Sequence, residues 1–244
     1  MIRNLVVSGC SFTKTPFENE WALTLVRHFK VHHHVNLAES GAGNFYIADS
    51  LQHYLRVNNL NPRETLVLVM WSGPSRIDLT VSDEFYRMVQ TPYKASVLGK
   101  NYIFSGGELG SWQADLLVRP VFENLYKTKS FAAQAHDTIT NIIQTRDFLK
   151  NNGYSFWFMS YVNYWQNTPD YVSDMDLSMG YHTPTLASVS DDANWIWVND
   201  NKDCFYEYAK ARQLLSGDGF HPDEQAHQEF AREFVVPKIK GYFK

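Results

Sequence analysis

Apolar and polar positions along the chain alternate between short apolar runs and stripes of helical period. Leu5-Val6-Val7 is a short apolar run closed by Ser8-Gly9, which predicts a first buried strand. From Glu20 to Lys30 the residues Trp21, Leu25 and Phe29 recur at i, i+4, i+8, the pattern of an amphipathic helix. Val35-Asn36-Leu37 predicts a second strand, followed by the turn Ser40-Gly41-Ala42-Gly43. Ile47, Leu51 and Leu55 then share one face of a helix that ends near Asn61-Pro62. Thr65 to Trp71 is apolar almost throughout, without alternation, as expected of a strand covered on both sides. Ala135, Ile139, Ile142, Ile143 and Leu149 stripe a long helix that stops at Gly153. Tyr154 to Met159 predicts a fourth strand, Trp195 to Val198 a fifth, and Pro222 opens a last helix. Strands alternating with helices predict an α/β fold with a mostly parallel sheet covered on both faces.

Two segments break the pattern. Residues 79–112 are rich in Gly, Tyr and Phe, and residues 161–194 hold Tyr161, Tyr164, Trp165, Tyr171 and Tyr181 among polar residues. Long irregular segments in a compact chain are usually functional or mobile. The second follows the C-terminal end of a predicted strand, where ligands of parallel sheets sit. Its aromatics are therefore candidates for substrate binding, or for packing the loops onto the body.

Composition narrows the setting. The chain has 244 residues, within the range of one large α/β unit, and no repeat or linker divides it, so residues 1–244 are expected to form one domain. A formal net charge of −4 offers no general attraction to nucleic acid or to an anionic membrane. No run of 18 apolar residues occurs, and the opening residues run straight into a strand without a signal-peptide pattern. The two cysteines, Cys10 and Cys204, do not make a disulfide framework. A cytoplasmic protein without membrane or nucleic-acid partners is expected, the host's cytoplasm if the gene is a phage's.

The chemistry is concentrated at the two ends of the chain. In Asp218-Gly219-Phe220-His221 a carboxylate precedes an imidazole by three residues, close enough to orient the ring and fix its tautomer. The far ring nitrogen can then take the proton of a serine hydroxyl, which alone is a weak nucleophile. Ser11, in Gly9-Cys10-Ser11 after the first strand, is the candidate. The competing readings are ordinary ones: a turn serine, a turn aspartate, a surface histidine. Cys10 reads as a small buried hydrophobe. His32-His33-His34 invites a metal reading, but consecutive strand residues point to alternate faces, and a solvated strand start is expected. His227 is expected on the surface of the last helix. Asp191-Asp192 lacks the ligand spacing of a calcium loop. Neither a phosphate loop, a dinucleotide fingerprint nor zinc spacing occurs, so the chemistry implied needs no cofactor and no metal.

Four blocks together carry a family resemblance: Gly9-Cys10-Ser11-Phe12-Thr13, Asn36 to Asn44, Trp71-Ser72-Gly73, and Asp218-Gly219-Phe220-His221-Pro222. In this order they resemble the blocks of the SGNH/GDSL hydrolases, and most of all the small variants with a Gly-Cys-Ser-Phe-Thr opening that are frequent in bacteriophage genomes. The resemblance implies a flavodoxin-like, three-layer α/β/α sandwich with about five mostly parallel strands. It implies Ser11 as nucleophile, His221 as general base and Asp218 as its orienter, with the backbone N–H groups of Ser11 and Gly41 donating to the oxyanion. Two departures stand out. Residue 10 is cysteine where the family usually has aspartate, and Ser72-Gly73-Pro74-Ser75-Arg76 lacks the asparagine that usually supplies a third oxyanion donor. Ser72 and Asn44, next to the strand ends, are the favoured replacements, with Ser75 and Arg76 as further options. Trp71, Arg76, Tyr164 and Trp165 are candidate substrate-binding residues. The activity implied is hydrolysis of an O-acyl ester, with an O-acetyl carbohydrate favoured because Tyr and Trp are mixed with Asn and Asp in the loops. A binding module that kept the fold, or an acyltransferase using the same three residues, would present the same blocks.

Overall fold

The computed structural model describes residues 2–15, 17–18, 20–107, 110–163, 193–200 and 202–243. Its centre is a four-stranded parallel sheet built from β1 (Asn4–Ser8), β2 (His33–Asn36), β3 (Thr65–Trp71) and β7 (Ser155–Ser160), in the order β2-β1-β3-β7. β3 is buried at every position, which is why its sequence shows no alternation. It pairs in parallel with β1 (Val6 opposite Val67) and with β7 (Val69 opposite Phe158).

Helices cover both faces. On one, α2 (Asn44–Val57) packs on α5 (Phe131–Asn151); on the other, α1 (Trp21–Phe29) packs on the C-terminal helical segment. That segment starts with α7 (Glu224–Phe230), passes through a π-helical turn at Ala231–Val235 and ends in a short turn at Val236–Ile239. α6 (Phe205–Ala211) packs against α7. The result is the three-layer α/β/α arrangement, with a core running from Leu5, Val6 and Val7 through Leu66 to Met70 and out to Trp21, Ile47, Ile142 and Phe230.

Three expectations are corrected. The fifth parallel strand is reduced to a single bridge between Phe158 and Trp195. Residues 79–112 are largely regular: β4 (Asp78–Val81), β5 (Lys94–Val97) and β6 (Lys100–Phe104) form a separate antiparallel sheet in the order β4-β6-β5, with α3 (Asp83–Met88) between its first two strands. Leading into α4 (Arg119–Thr128), this part has its own small apolar cluster of Ile77, Val89, Ile103, Trp112, Val118 and Phe122. Finally, the last helix begins at Glu224 rather than Pro222, because the Asp223 carboxylate accepts the Ala226 N–H and caps it while Pro222 bridges to Leu215. Among the described residues no helix is long and apolar enough to cross a membrane.

Candidate active site

Ser11, Gly41, Ser72 and the 205–223 segment all lie beyond the C-terminal ends of the parallel strands, so the topology gathers the N-terminal and C-terminal blocks on one edge. The chain leaves β1 into a tight turn in which the Cys10 carbonyl accepts the N–H groups of Thr13 and Lys14. Gly9 is required there, since a Cβ would lie 2.3 Å from the Thr13 hydroxyl. The Gly9 carbonyl in turn accepts the Glu39 N–H, which ties this turn to the one after β2. Asn36 supports the turn from below by donating its amide to the Thr13 carbonyl and to Glu20, whose carboxyl burial pushes up.

The C-terminal partner is a small hairpin. Leu215 bridges to Pro222, and the Ser216 N–H donates to the His221 carbonyl at 2.7 Å. Gly219 turns the loop at φ +70°. Inside it Asp218 Oδ1 accepts the N–H groups of Phe220 and His221 and the Ser216 hydroxyl. Burial works against the charge of Asp218, but the hydrogen bonds from His221, Phe220 and Ser216 prevail and hold the carboxyl well below its ordinary range.

The two loops meet at the imidazole. His221 Nδ1 lies 2.6 Å from Asp218 Oδ2, and His221 Nε2 lies 2.9 Å from Ser11 Oγ. An ionised carboxylate only accepts, so Nδ1 carries the proton, and in the neutral ring Nε2 presents its lone pair to the Ser11 hydroxyl. An aromatic cluster packs beside this contact. Phe12, fully buried, stacks on Tyr161 at 4.3 Å, meets Phe220 edge-on at 5.3 Å and lies 5.1 Å from the His221 ring. Phe12, after Ser11, and Phe220, before His221, are thus packed on each other. Cys10 is buried beneath the turn.

The remaining candidates divide. Among the described residues neither the Ser11 N–H nor the Gly41 N–H donates a hydrogen bond, so both backbone donors are unspent. Arg76 places its guanidinium 5.2 Å over the Tyr161 ring and 3.3 Å from the Ala42 carbonyl, beside the Gly41 turn. Asn44 is a correction: it is buried, and its amide hydrogens go to the Ser72 carbonyl at 2.9 Å and the Thr138 hydroxyl at 3.0 Å, so it has none left for an oxyanion. Ser72 is another, because its hydroxyl is sealed in the interior and its N–H donates to Asn44. Trp71 is a third: it is buried in the core, edge-on to Phe158, rather than lining a cleft. Tyr164 and Trp165, with Tyr171, Tyr181 and Asp191-Asp192, lie outside the described residues.

Two histidine expectations change as well. His227 is fully buried, accepting the Trp21 N–H on Nδ1, and burial, then the neighbouring His221, pulls its pKa down to about 3. His34 is partly buried in β2, with its pKa lowered first by that burial. Among the described residues no cluster of three or more His, Cys, Asp or Glu side chains could hold a metal ion.

Sequence adjacency and periodicity missed Tyr93 and Asp78, which touch the Gly41 turn from the small antiparallel sheet. The available signal was the pair Gly41 and Gly43, which marks a turn that another part of the chain approaches closely.

The fold has known counterparts. It is similar to that of TesA, at 13% identity over 98% of this chain and 99% of that one, with a TM-score of 0.55. It is also similar to a member of the lipolytic protein G-D-S-L family from Veillonella parvula DSM 2008, at 11% identity over 97% of each chain, with a TM-score of 0.50. At these identities the likeness is one of fold. No protein-family model and no curated protein matches the sequence.

Proposed function

We propose that this protein is a serine esterase that cleaves an O-acyl ester through an acyl-enzyme. The observation that carries the proposal is the unbroken line from Asp218 Oδ2 through both nitrogens of His221 to Ser11 Oγ, with contacts of 2.6 and 2.9 Å. A serine hydroxyl becomes a competent nucleophile only when a base stands within hydrogen-bond reach and is itself oriented. The likeness in fold to a G-D-S-L lipolytic protein supports the same reading.

In the proposed reaction Ser11 Oγ attacks the ester carbonyl as its proton passes to His221 Nε2. The oxyanion is met by the unspent N–H groups of Ser11 and Gly41, each such donor contributing roughly 3 kcal/mol to lowering the barrier. The C–O bond to the alcohol breaks as His221 returns its proton to the leaving oxygen. Water, deprotonated by the same nitrogen, then attacks the acyl carbonyl and regenerates Ser11. Asp218 keeps the ring in the required tautomer and stabilises the imidazolium without itself taking the proton. Arg76 is assigned to meet a polar substituent of the substrate, a role supported by its position over Tyr161 beside the turn. An O-acetylated carbohydrate is the favoured substrate, on the strength of the Tyr, Trp, Asn and Asp content of the sequence after β7.

The test is intact-mass labelling with a fluorophosphonate. Wild-type protein should gain one adduct, and Ser11→Ala and His221→Ala should gain none. A folded wild-type protein that takes no label would mean that the three residues do not form a reactive centre.

A further inference from the structure

The turn bearing the Gly41 N–H is gripped by the small antiparallel sheet. Helix α2 begins just after this turn, and its N-cap is Gly43, which has no side chain to satisfy the first N–H groups. Asp78, at the start of β4, fills that role from 35 positions away: Oδ1 accepts the Gly43 N–H at 2.8 Å and Oδ2 accepts the Tyr46 N–H at 2.9 Å. The fit is close, since a Cβ on Gly43 would lie 2.7 Å from the Arg76 carbonyl oxygen and 2.8 Å from Asp78 Oδ2. On the other side the ring of Tyr93 lies against Gly41, where a Cβ would come within 2.9 Å of a ring carbon. Gly41 itself has φ +82°, a conformation that other residues rarely hold.

Both contacts are mounted on the same strand. Phe104 of β6 is the register partner of Asp78, and its N–H donates to the Tyr93 carbonyl at 2.9 Å. Asp78 and Tyr93 are therefore linked through one residue of β6, and each touches the turn.

From this juxtaposition we infer that Asp78 and Tyr93 are positioning residues for the oxyanion donor at Gly41, the small sheet acting as a clamp on the Gly41–Gly43 turn. The inference rests on the esterase reading above and names which part of the chain sets the donor's place. The choice of residue is informative. A serine or threonine cap would spare the helix a buried charge. A carboxylate instead offers two oxygens and so fixes two N–H groups at once. Burial pushes the Asp78 carboxyl up to about 7, against the two N–H groups and the Arg76 guanidinium, which favour the charge. The other groups facing it are the Tyr46 hydroxyl of α2 and Tyr102 of β6, whose hydroxyl donates to Asp49. As pH falls through 7 the carboxyl takes a proton and gives up acceptor strength toward the turn, so the clamp loosens on the acid side.

The test compares wild type with Asp78→Asn, Tyr93→Ala and Tyr93→Phe. The measurements are kcat and KM on p-nitrophenyl acetate across pH 5–9, the rate of fluorophosphonate labelling, and the melting temperature. A donor displaced by 1 Å can cost about a hundredfold in rate. Asp78→Asn and Tyr93→Ala should each lower kcat and the labelling rate by about tenfold or more, with KM within about twofold. Tyr93→Phe should restore wild-type behaviour, because the ring is what covers Gly41. Asp78→Asn should also lose one component of the acid limb of kcat. Labelling and kcat at the wild-type level in either folded variant would overturn the clamp while leaving the esterase reading in place. If Asp78→Asn does not fold, Tyr93→Ala, altering a half-buried ring, decides alone. A wild-type protein that takes no label overturns both.

Discussion

Asn44 and Ser72, 28 positions apart, close a two-way hydrogen bond: the Ser72 N–H donates to Asn44 Oδ1 at 2.8 Å, and Asn44 Nδ2 donates back to the Ser72 carbonyl at 2.9 Å. The pair locks the first residue of α2 to the end of β3, and the second amide hydrogen, on the Thr138 hydroxyl, adds α5 to the junction. Asn44 is a structural joint beside the site.

Asn44→Ala should therefore be a stability variant. It orphans the buried Ser72 N–H and carbonyl, at about 1–3 kcal/mol for each group left without a partner. In a chain of this length each kcal/mol lowers the melting temperature by roughly 2–4 °C. Thermal unfolding should show that drop, with kcat per folded molecule little changed well below the transition. A large loss of kcat without loss of stability would return Asn44 to the oxyanion site.

Asp218→Asn tests the orienting role. The Ser216 hydroxyl and the N–H groups of Phe220 and His221 still find an acceptor in the amide oxygen, so the hairpin should keep its shape. The amide nitrogen facing His221 Nδ1 now donates, which favours the wrong tautomer, and kcat should fall by about 10⁴. Steady-state kinetics beside a near-unchanged circular dichroism spectrum would check this. A loss smaller than about tenfold would remove Asp218 from the mechanism.

His227 predicts an acid-sensitive fold. Its folded pKa of about 3 lies below the ordinary imidazole value of 6.5, so between those limits the unfolded chain binds a proton that the folded chain refuses. Stability is therefore full above pH 6.5 and is lost as pH falls toward 3, at up to about 1.4 kcal/mol per pH unit. His227→Asn keeps an acceptor near the Trp21 N–H but cannot titrate. Urea unfolding at pH 7, 5.5 and 4 should show wild type losing stability toward acid more steeply than the variant. Equal slopes would sink the assignment.

The parallel sheet and its helices were legible because their signals are long. β3 is seven residues, six of them apolar, and the stripes of α1, α2 and α5 run over two turns or more. The meeting of Ser11, Asp218 and His221 was legible because Asp218 and His221 are neighbours in sequence and Ser11 follows closely on a strand. The antiparallel sheet was not legible: its strands are four or five residues long, too short for alternation to stand out, and glycines follow closely. His227 was misjudged because Glu224, Gln225 and Glu229 make its helix look solvated, while the face it shares with Ala226 and Phe230 points inward. Asn44 was misread because a side chain's partners across 28 and 94 positions leave no local trace.

The single bridge beside β7 also bears on how copies of the chain meet. A strand at the rim of a sheet offers a row of open N–H and carbonyl groups on which a second molecule can zip. Here Phe158 spends both of its own on Asn194 and Ile196, the Asn194 amide occupies the Phe156 carbonyl, and the indoles of Trp195 and Trp197 stack face to face alongside. That seam is closed from within the chain. Growth of the sheet from one molecule into the next is left to β2, whose four residues include two imidazoles and offer a short landing strip. The tryptophan-bearing stretch at residues 194–197 thus occupies part of the rim that β7 would otherwise leave open.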